Sequence, residues 1–427
     1  MFTIGRTNFK SITTCLMQQV FTNVYRQRSP DGKWNIFRLR SGDHVKNEDF
    51  YDRYDPVSRS TTPTLFYRNS TLSRFVIKTC PRLERPFSPP CWLRNGHVQT
   101  ILTYLLAGRP LAHSSAQFNR QFLQMKDGGI VSIDWYIGSR SLQESSSVVI
   151  VIPGLFADSL SVSKYCKTAN KRGYRPLVFH RRGTTGCPFT TPFIKPAGDP
   201  TDFRQLTTFV QYLYPDAKLF AISYGLGSNI LLSYLGEYGS SSRMTATVAI
   251  SAAFDSQQLY SIGISRPYKW LIEIKLKLWL LRLVPALGKH ISKKRSAWLK
   301  TNLYNAEHKL MKDMHKYSSV EEYWENNNPL RDADDISTPL LCINSSDDPI
   351  SSEKNIAYDL FSVYPNLILA LTDTGGHCGF MDKLAGASWA DELSLDYFSA
   401  MSKFSKIENK RKANTCIVRN NYYYHQK

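Results

Sequence analysis

Short apolar runs, separated by polar stretches with helical periodicity, dominate the chain from about residue 85 onward. Ser147-Val-Val-Ile-Val-Ile152 is a continuous apolar run that stops at Pro153-Gly154, the pattern of a parallel strand buried on both faces. Runs of the same kind recur at 176–179, 219–222, 246–250, 340–343 and 367–371. Ahead of them, 121–125 and 130–135 alternate around Asp127-Gly-Gly129, which predicts a β-hairpin. Helical periodicity at 165–172 and 229–238 falls between strands. The alternation predicts an α/β fold, with a mostly parallel central sheet and helices on both faces. Between 250 and 340 lie roughly ninety residues rich in Leu, Trp and Lys, too many for a loop. They are expected to form an inserted helical cap at about 254–336. Residues 1–84 are polar, basic and weakly periodic, so they are expected as an irregular extension ahead of a domain over 85–402. The basic, polar stretch 403–427 is expected to be a disordered tail.

Composition adds constraints on partners. Hydrophobic residues at 42% and aromatics at 13% suffice for a packed core. The balance of 54 Lys+Arg against 35 Asp+Glu gives a formal charge of +19, which favours anionic partners. That charge is dispersed and no nucleic-acid-binding signature accompanies it, so an anionic membrane surface is favoured over nucleic acid. The stretch 268–284 mixes Leu and Trp with Lys and Arg at near-helical spacing. It reads both as a cap helix packed on the core and as a basic amphipathic helix for a membrane surface. Eight cysteines without a Cys-x-x-Cys pair read as free thiols of a reducing compartment. No zinc-ligand spacing occurs, and no metal or cofactor is expected. There is no apolar run of about 18 residues for a spanning helix, nor a cleavable signal-peptide pattern.

The candidate chemistry centres on the strand at 219–222, a glycine-containing turn and the helix that follows. Strand–turn–helix is the arrangement that holds a nucleophilic serine on a sharp bend, usually as Gly-x-Ser-x-Gly. Anchored on Gly227, the register reads Ser223-Tyr224-Gly225-Leu226-Gly227, with Gly225 in the nucleophile position and no atom there to attack a carbonyl. A frame shifted by two residues, Ala221-Ile-Ser223-Tyr-Gly225, offers Ser223 instead. Asp348 follows the strand at 340–343, and His377 follows the last strand. That chain order suits an acid that orients an imidazole base. Asp347 is the less favoured twin of Asp348. Leu155, after Pro153-Gly154, and Leu226 would supply the oxyanion-hole amides. Cys378, beside His377, reads as a packing residue whose side chain points away from its neighbour's.

Several further segments occur together with this arrangement. They are Pro89-Pro-Cys-Trp-Leu-Arg-Asn-Gly-His-Val-Gln-Thr-Ile-Leu102, Asp127-Gly-Gly-Ile-Val-Ser-Ile-Asp-Trp135, His180-Arg-Arg-Gly183, Ala197-Gly-Asp-Pro-Thr-Asp202, Asn344-Ser-Ser-Asp-Asp-Pro349 and Gly375-Gly-His-Cys-Gly-Phe380. In combination and in order, they resemble the Emb8/YheT-like branch of the α/β-hydrolases (the AB hydrolase 4 family) over roughly 85–400. The branch normally reads Gly-Phe-Ser-Leu-Gly-Ala-Asn-Ile-Leu at the elbow, which lays its serine onto Gly225. The resemblance implies an α/β-hydrolase fold with a helical cap. It also implies kinship with esterases and lipases of acylglycerols and phospholipids, several of them membrane-associated. Two expectations follow from it. In one, the chain is a degenerate hydrolase of lipid metabolism with Gly225 in the seat, acting as a lipid-linked regulator or scaffold. It would then take an acyl-ester lipid or small acyl ligand and a regulatory protein partner. In the other, it is an active serine carboxylesterase or acylglycerol lipase using Ser223, Asp348 and His377. Either way the expected setting is intracellular, peripheral on endoplasmic-reticulum or lipid-droplet membrane.

Overall fold

In the computed structural model the apolar runs become strands of one sheet. The described residues are 62–106, 117–287, 311–312, 314–382 and 387–424, with side chains left out at 262, 284–287 and 412–424. All of them fall in the unit Asp49–Lys427. The strands are β1 Thr64–Tyr67, β2 Gln117–Gln124, β3 Ile130–Ile137, β4 Val148–Ile152, β5 Arg175–His180, β6 Leu219–Tyr224, β7 Met244–Ile250, β8 Leu340–Ser345 and β9 Leu367–Thr372. They lie in the order β1-β9-β8-β7-β6-β4-β5-β3-β2. The block from β5 through β4, β6, β7 and β8 to β9 is parallel. β1, β2 and β3 join antiparallel at the two edges.

The helices are α1 Thr71–Thr79, α2 Gly96–Leu106, α3 Ser163–Lys171, α4 Thr201–Leu213, α5 Gly227–Tyr238, α6 Arg266–Leu287, α7 Val320–Asn327, α8 Tyr358–Val363 and α9 Trp389–Tyr424. Along β6, Leu219 and Ala221 enter one core while Phe220 and Ile222 enter the other, the two-residue period of a strand. The first core packs α4, α5 and α8 on the sheet; the second packs α1, α3 and α9. Covering both faces explains why β4 is apolar at every position and wholly buried. Each such side chain contributes roughly 1.5–3 kcal/mol relative to exposure.

The chain steps from β4 to β5 on one side, then returns to place β6 on the other side of β4. Loops leaving the carboxyl ends of β4 and β6 therefore diverge around a crevice at this switch point, where ligands of open α/β sheets bind. Over that end lies the described part of the expected cap. There Leu276, Leu280 and Leu283 of α6 pack with Tyr323 and Trp324 of α7.

Two expected boundaries shift. β1 and α1, inside the expected extension, belong to the sheet and its cover. Thr64–Tyr67 pairs with β9, and α1 starts on a Ser70–Ser73 capping box with Val76 fully buried. A four-residue, half-buried edge strand leaves little hydrophobic pattern to read. At the other end, the stretch expected as a disordered tail from 403 continues α9 to Tyr424. Phe398 and Met401 are buried, and Phe404 packs on Phe75 at 5.2 Å between ring centroids. Their spacing of three residues holds one apolar stripe, which the surrounding lysines mask in sequence.

Candidate active site

β6 ends at Tyr224 and α5 begins at Gly227, so the turn between them is tight. Gly225 holds it with φ of +50°, a conformation that costs glycine little and other residues more. Its N–H donates to the Ile250 carbonyl at 2.9 Å. Gly227 is there for a different reason. A Cβ at this position would lie 2.5 Å from the Pro153 oxygen and 2.8 Å from that of Ile152. Without a side chain, the first turn of α5 approaches the end of β4, and Leu226 comes near the loop carrying Leu155. Both leucines line a cavity of about 450 Å³ together with Gly225 and His377. Neither backbone N–H donates to another group among the described residues, so both amides are available to a ligand oxygen.

Asp348 and His377 meet across the ends of β8 and β9. His377 Nδ1 lies 2.9 Å from Asp348 Oδ2 and 3.2 Å from Oδ1. The carboxylate side chain is fully buried. Its Oδ1 also accepts the Ile350 and Ser351 amides at 2.8 and 2.9 Å, which fixes its orientation. Burial works to lower the imidazole pKa, but the Asp348 carboxylate and the Cys378 side chain outweigh it and hold His377 well above the ordinary range. With Nδ1 toward the acid, Nε2 faces the turn.

The histidine loop is held from below by α2. The His377 amide donates to Thr100 Oγ1 at 2.9 Å, and the Met381 amide to Gln99 Oε1 at 2.8 Å. A Cβ on Gly376 would lie 2.3 Å from the Gly96 oxygen. Asp347 accepts the Gly376 amide at 2.8 Å, so the twin carboxylate secures the loop and leaves the imidazole to Asp348. Burial pushes the Asp347 pKa up to about 6, and its Oδ2 has no hydrogen-bond partner among the described residues.

The seat facing Nε2 belongs to Gly225. A Cβ built there would lie 2.7 Å from His377 Nε2 and 3.7 Å from Cys378 Sγ. Ser223 stands two residues earlier, within β6, paired with Ile152 and Ala249. It is 0% exposed, and its Oγ lies 3.0 Å from Ser228 Oγ and 3.4 Å from the Val248 oxygen. Ser223 therefore does not line the cavity, and the shifted elbow frame is corrected. β6 extends through Tyr224 because its ladder with β7 runs to Ile250. Cys378 is corrected too. Its φ of +59° breaks the alternation expected of extended neighbours and turns the thiol toward the same seat.

A second Ser/His/Asp grouping is buried beside the paired strands β3 and β5. Ser159 Oγ lies 2.5 Å from Asp134 Oδ2 and 2.7 Å from His180 Nε2, and Asp134 Oδ2 lies 3.0 Å from that same nitrogen. Acid and hydroxyl thus share one ring nitrogen, whereas a catalytic triad needs them on opposite nitrogens. Burial works to raise the Asp134 pKa, yet Arg120, His180 and Ser159 together hold it well below the usual range. Nearby, Arg182 forks onto both Asp127 and Asp202 at 2.6–2.8 Å. These motif residues tie elements together.

Sequence reasoning picked out Asp348, His377, Gly225, Leu155 and Leu226, and these line the cavity or lie against it. It missed Gln99, Thr100 and Asp347 as holders of the histidine loop. The 89–102 segment was the available signal, but only the tertiary contact assigns it this task. The cavity wall is mostly apolar, with Ile101, Tyr104 and Leu105 from α2, Leu160 from the connection between β4 and α3 and Leu271 from α6. All five are also exposed, so they form its mouth. Lys275 sits over the Tyr104 ring at 4.0 Å.

Comparison with known proteins agrees with this architecture. Residues 143–383 match the model of a hydrolase family described as Serine aminopeptidase, S33. The chain is similar to Protein ABHD15 of Homo sapiens, with 32% identity covering 86% of this chain and 79% of that protein. It is 28% identical to Monoacylglycerol lipase ABHD2 of Danio rerio, covering 82% and 85% of the two chains. With Phospholipase ABHD3 of Homo sapiens it shares 25% identity over 82% of this chain and 88% of the other. With the sheet order, the elbow between β6 and α5 and these matches together, the chain belongs to the α/β-hydrolase family described as Serine aminopeptidase, S33.

Proposed function

We propose that this chain binds an acyl-bearing lipid in the cavity beneath its cap and has lost serine-dependent turnover, serving lipid metabolism as a lipid-linked regulator or scaffold. One observation carries the reading: the residue facing His377 Nε2 is Gly225, which offers no nucleophilic atom. The mostly apolar wall supports an acyl chain as occupant. The names of two relatives, a monoacylglycerol lipase and a phospholipase, support the ligand class. The serine-esterase alternative is not favoured, because Ser223 is buried within β6 and packs on Ser228.

The test pairs a fluorophosphonate probe with a fluorescent acylglycerol analogue. The native protein is expected to bind the analogue and to resist serine labelling. Gly225→Ser is expected to gain labelling that depends on His377. Labelling of the native protein that disappears in Ser223→Ala would overturn the loss of serine turnover, and failure to bind the analogue would overturn the ligand class.

The mouth of the cavity suits docking on an anionic lipid surface. Exposed Tyr104, Leu105 and Leu271 lie there beside Lys164 and Lys275, the mix of apolar and basic groups that favours such surfaces. No helix among the described residues is long and apolar enough to cross a membrane. Co-flotation with vesicles containing phosphatidylserine is expected to weaken when Leu105 and Leu271 are replaced by Asp. Equal flotation of both proteins would remove this partner. A peripheral position on endoplasmic-reticulum or lipid-droplet membrane accords with that mode of attachment.

A further inference from the structure

Beside His377, the thiol of Cys378 lies at the seat opposite Gly225. Three groups converge there. His377 is oriented by Asp348 through Nδ1 at 2.9 Å, the Cys378 thiol lies 3.9 Å from the Ile250 carbonyl oxygen, and His377 and Cys378 both line the cavity of about 450 Å³. A Cβ at position 225 would lie 2.7 Å from His377 Nε2 and 3.7 Å from Cys378 Sγ. The backbone is held for this arrangement. The Cys378 amide donates to Ser251 Oγ at 2.9 Å, and both Cys378 and Ser251 are non-glycine residues with positive φ, +59° and +50°. Unlike the four buried free cysteines Cys80, Cys166, Cys187 and Cys342, Cys378 is partly open to solvent.

We infer that Cys378 is an acyl-accepting thiol which, with His377 as its base and Asp348 as the orienting acid, takes a long-chain acyl group from an acyl thioester bound in the cavity. This rests on the acyl-binding reading of the same cavity and adds a covalent step to it. His377 accepts the Cys378 proton. The thiolate sulfur attacks the carbonyl carbon, an S–C bond forms, and the tetrahedral oxygen is met by the Leu155 and Leu226 amides. The donor's C–S bond then breaks, and the departing thiolate takes the proton from His377. One thioester is exchanged for another, so the step is close to isoenergetic. Acyl transfer from an oxoester to a thiol runs uphill, so the thioester is the donor class that leaves a lasting adduct.

The experiment uses the full-length protein with S-palmitoyl-N-acetylcysteamine, read by intact mass and peptide mapping. The expected result is one palmitoyl group on the peptide carrying Cys378, removed by neutral hydroxylamine. Cys378→Ser is expected to abolish that thioester and His377→Asn to slow its formation about a hundredfold. Cys91→Ala, at an exposed cysteine, is expected to leave it unchanged. Thermal melting of each variant separates lost chemistry from lost fold. Because His377→Asn could alter packing, native labelling is also followed against pH, where reactivity is expected to fall as His377 becomes protonated, at a pH above the ordinary imidazole range. No adduct in a protein that binds the fluorescent acylglycerol analogue would overturn the thiol assignment and leave the binding reading intact. Palmitoylation at comparable rate on other cysteines, or a Cys378 rate indifferent to His377, would overturn it as well. Absence of analogue binding would instead remove the reading beneath it.

Discussion

Gly225 keeps the left-handed turn of an elbow, with φ of +50°, yet the volume of the lost side chain is partly taken up by the His377 ring. Installing a serine must therefore impose strained backbone on a residue with a Cβ and push the imidazole back from 2.7 Å. Gly225→Ser is expected to lower stability by about 1–3 kcal/mol, measured by urea unfolding, even as it introduces a labelled nucleophile. Asp347 gives a second prediction at this scale. Burial raises its pKa from 3.8 to about 6, so the folded state favours the protonated acid. Its contribution to stability is full below pH 3.8 and is lost as pH rises through about 6. Replacing it with Asn should change little near pH 4. Above pH 7 it should stabilise by up to about 3 kcal/mol, read as a pH-dependent difference in unfolding free energy. A difference that grows toward low pH instead would contradict the assignment.

Among the elements, α2 and the β5–α4 connection do the positioning. The turn at 375–379 has little structure of its own and takes its shape from Gly96, Gln99 and Thr100. Thr100→Val keeps the side chain's shape but removes the acceptor for the His377 amide. It is expected to cost about 1–3 kcal/mol, read by urea unfolding, and to slow Cys378 acylation. Arg182 is only 3% exposed in its side chain and bridges Asp127 and Asp202. Arg182→Met would leave Asp202 buried without its partner, and a loss of about 3–5 kcal/mol is expected in denaturant unfolding. The sequence showed these charged residues as motif members. It could not show that His180-Arg-Arg-Gly183 ties the β2–β3 hairpin to α4, because the partners are separated by 55 and 20 residues along the chain.

Across the whole molecule, the sheet is closed at its β9 edge by β1 and covered on one face by α9. Arg82 and Arg172 both reach the Glu392 and Asp396 carboxylates of α9, and Lys218 Nζ donates to the Ser402 carbonyl at 2.9 Å. Removing residues 403–427 takes Phe404 away from Phe75. A loss of about 1–2 kcal/mol is expected, measurable by thermal or urea unfolding, where a dispensable tail would give no change. The continuous apolar runs made the parallel strands legible to within a few residues, and the large spacing before β8 pointed to the inserted helices. The edge strand β1 and the stripe on α9 were not legible, because a short half-buried strand and a helix dense in lysine carry weak contrast against polar sequence.

By itself the sequence determined the class of fold, the order of acid and base, and the two places where glycine bends the chain. Those features are written in local pattern and chain order. Only the tertiary structure decided which residue occupies the seat. Ladder pairing carries β6 through Tyr224, which sends Ser223 into the interior and leaves Gly225 at the turn facing His377. It also decided that Cys378 turns inward, since a positive φ fixed by contact with Ser251 overrides the alternation that adjacent residues would show in an extended chain. A shift of two positions along a strand costs nothing in composition or hydropathy. It changes which atoms meet, and chemistry depends on that meeting.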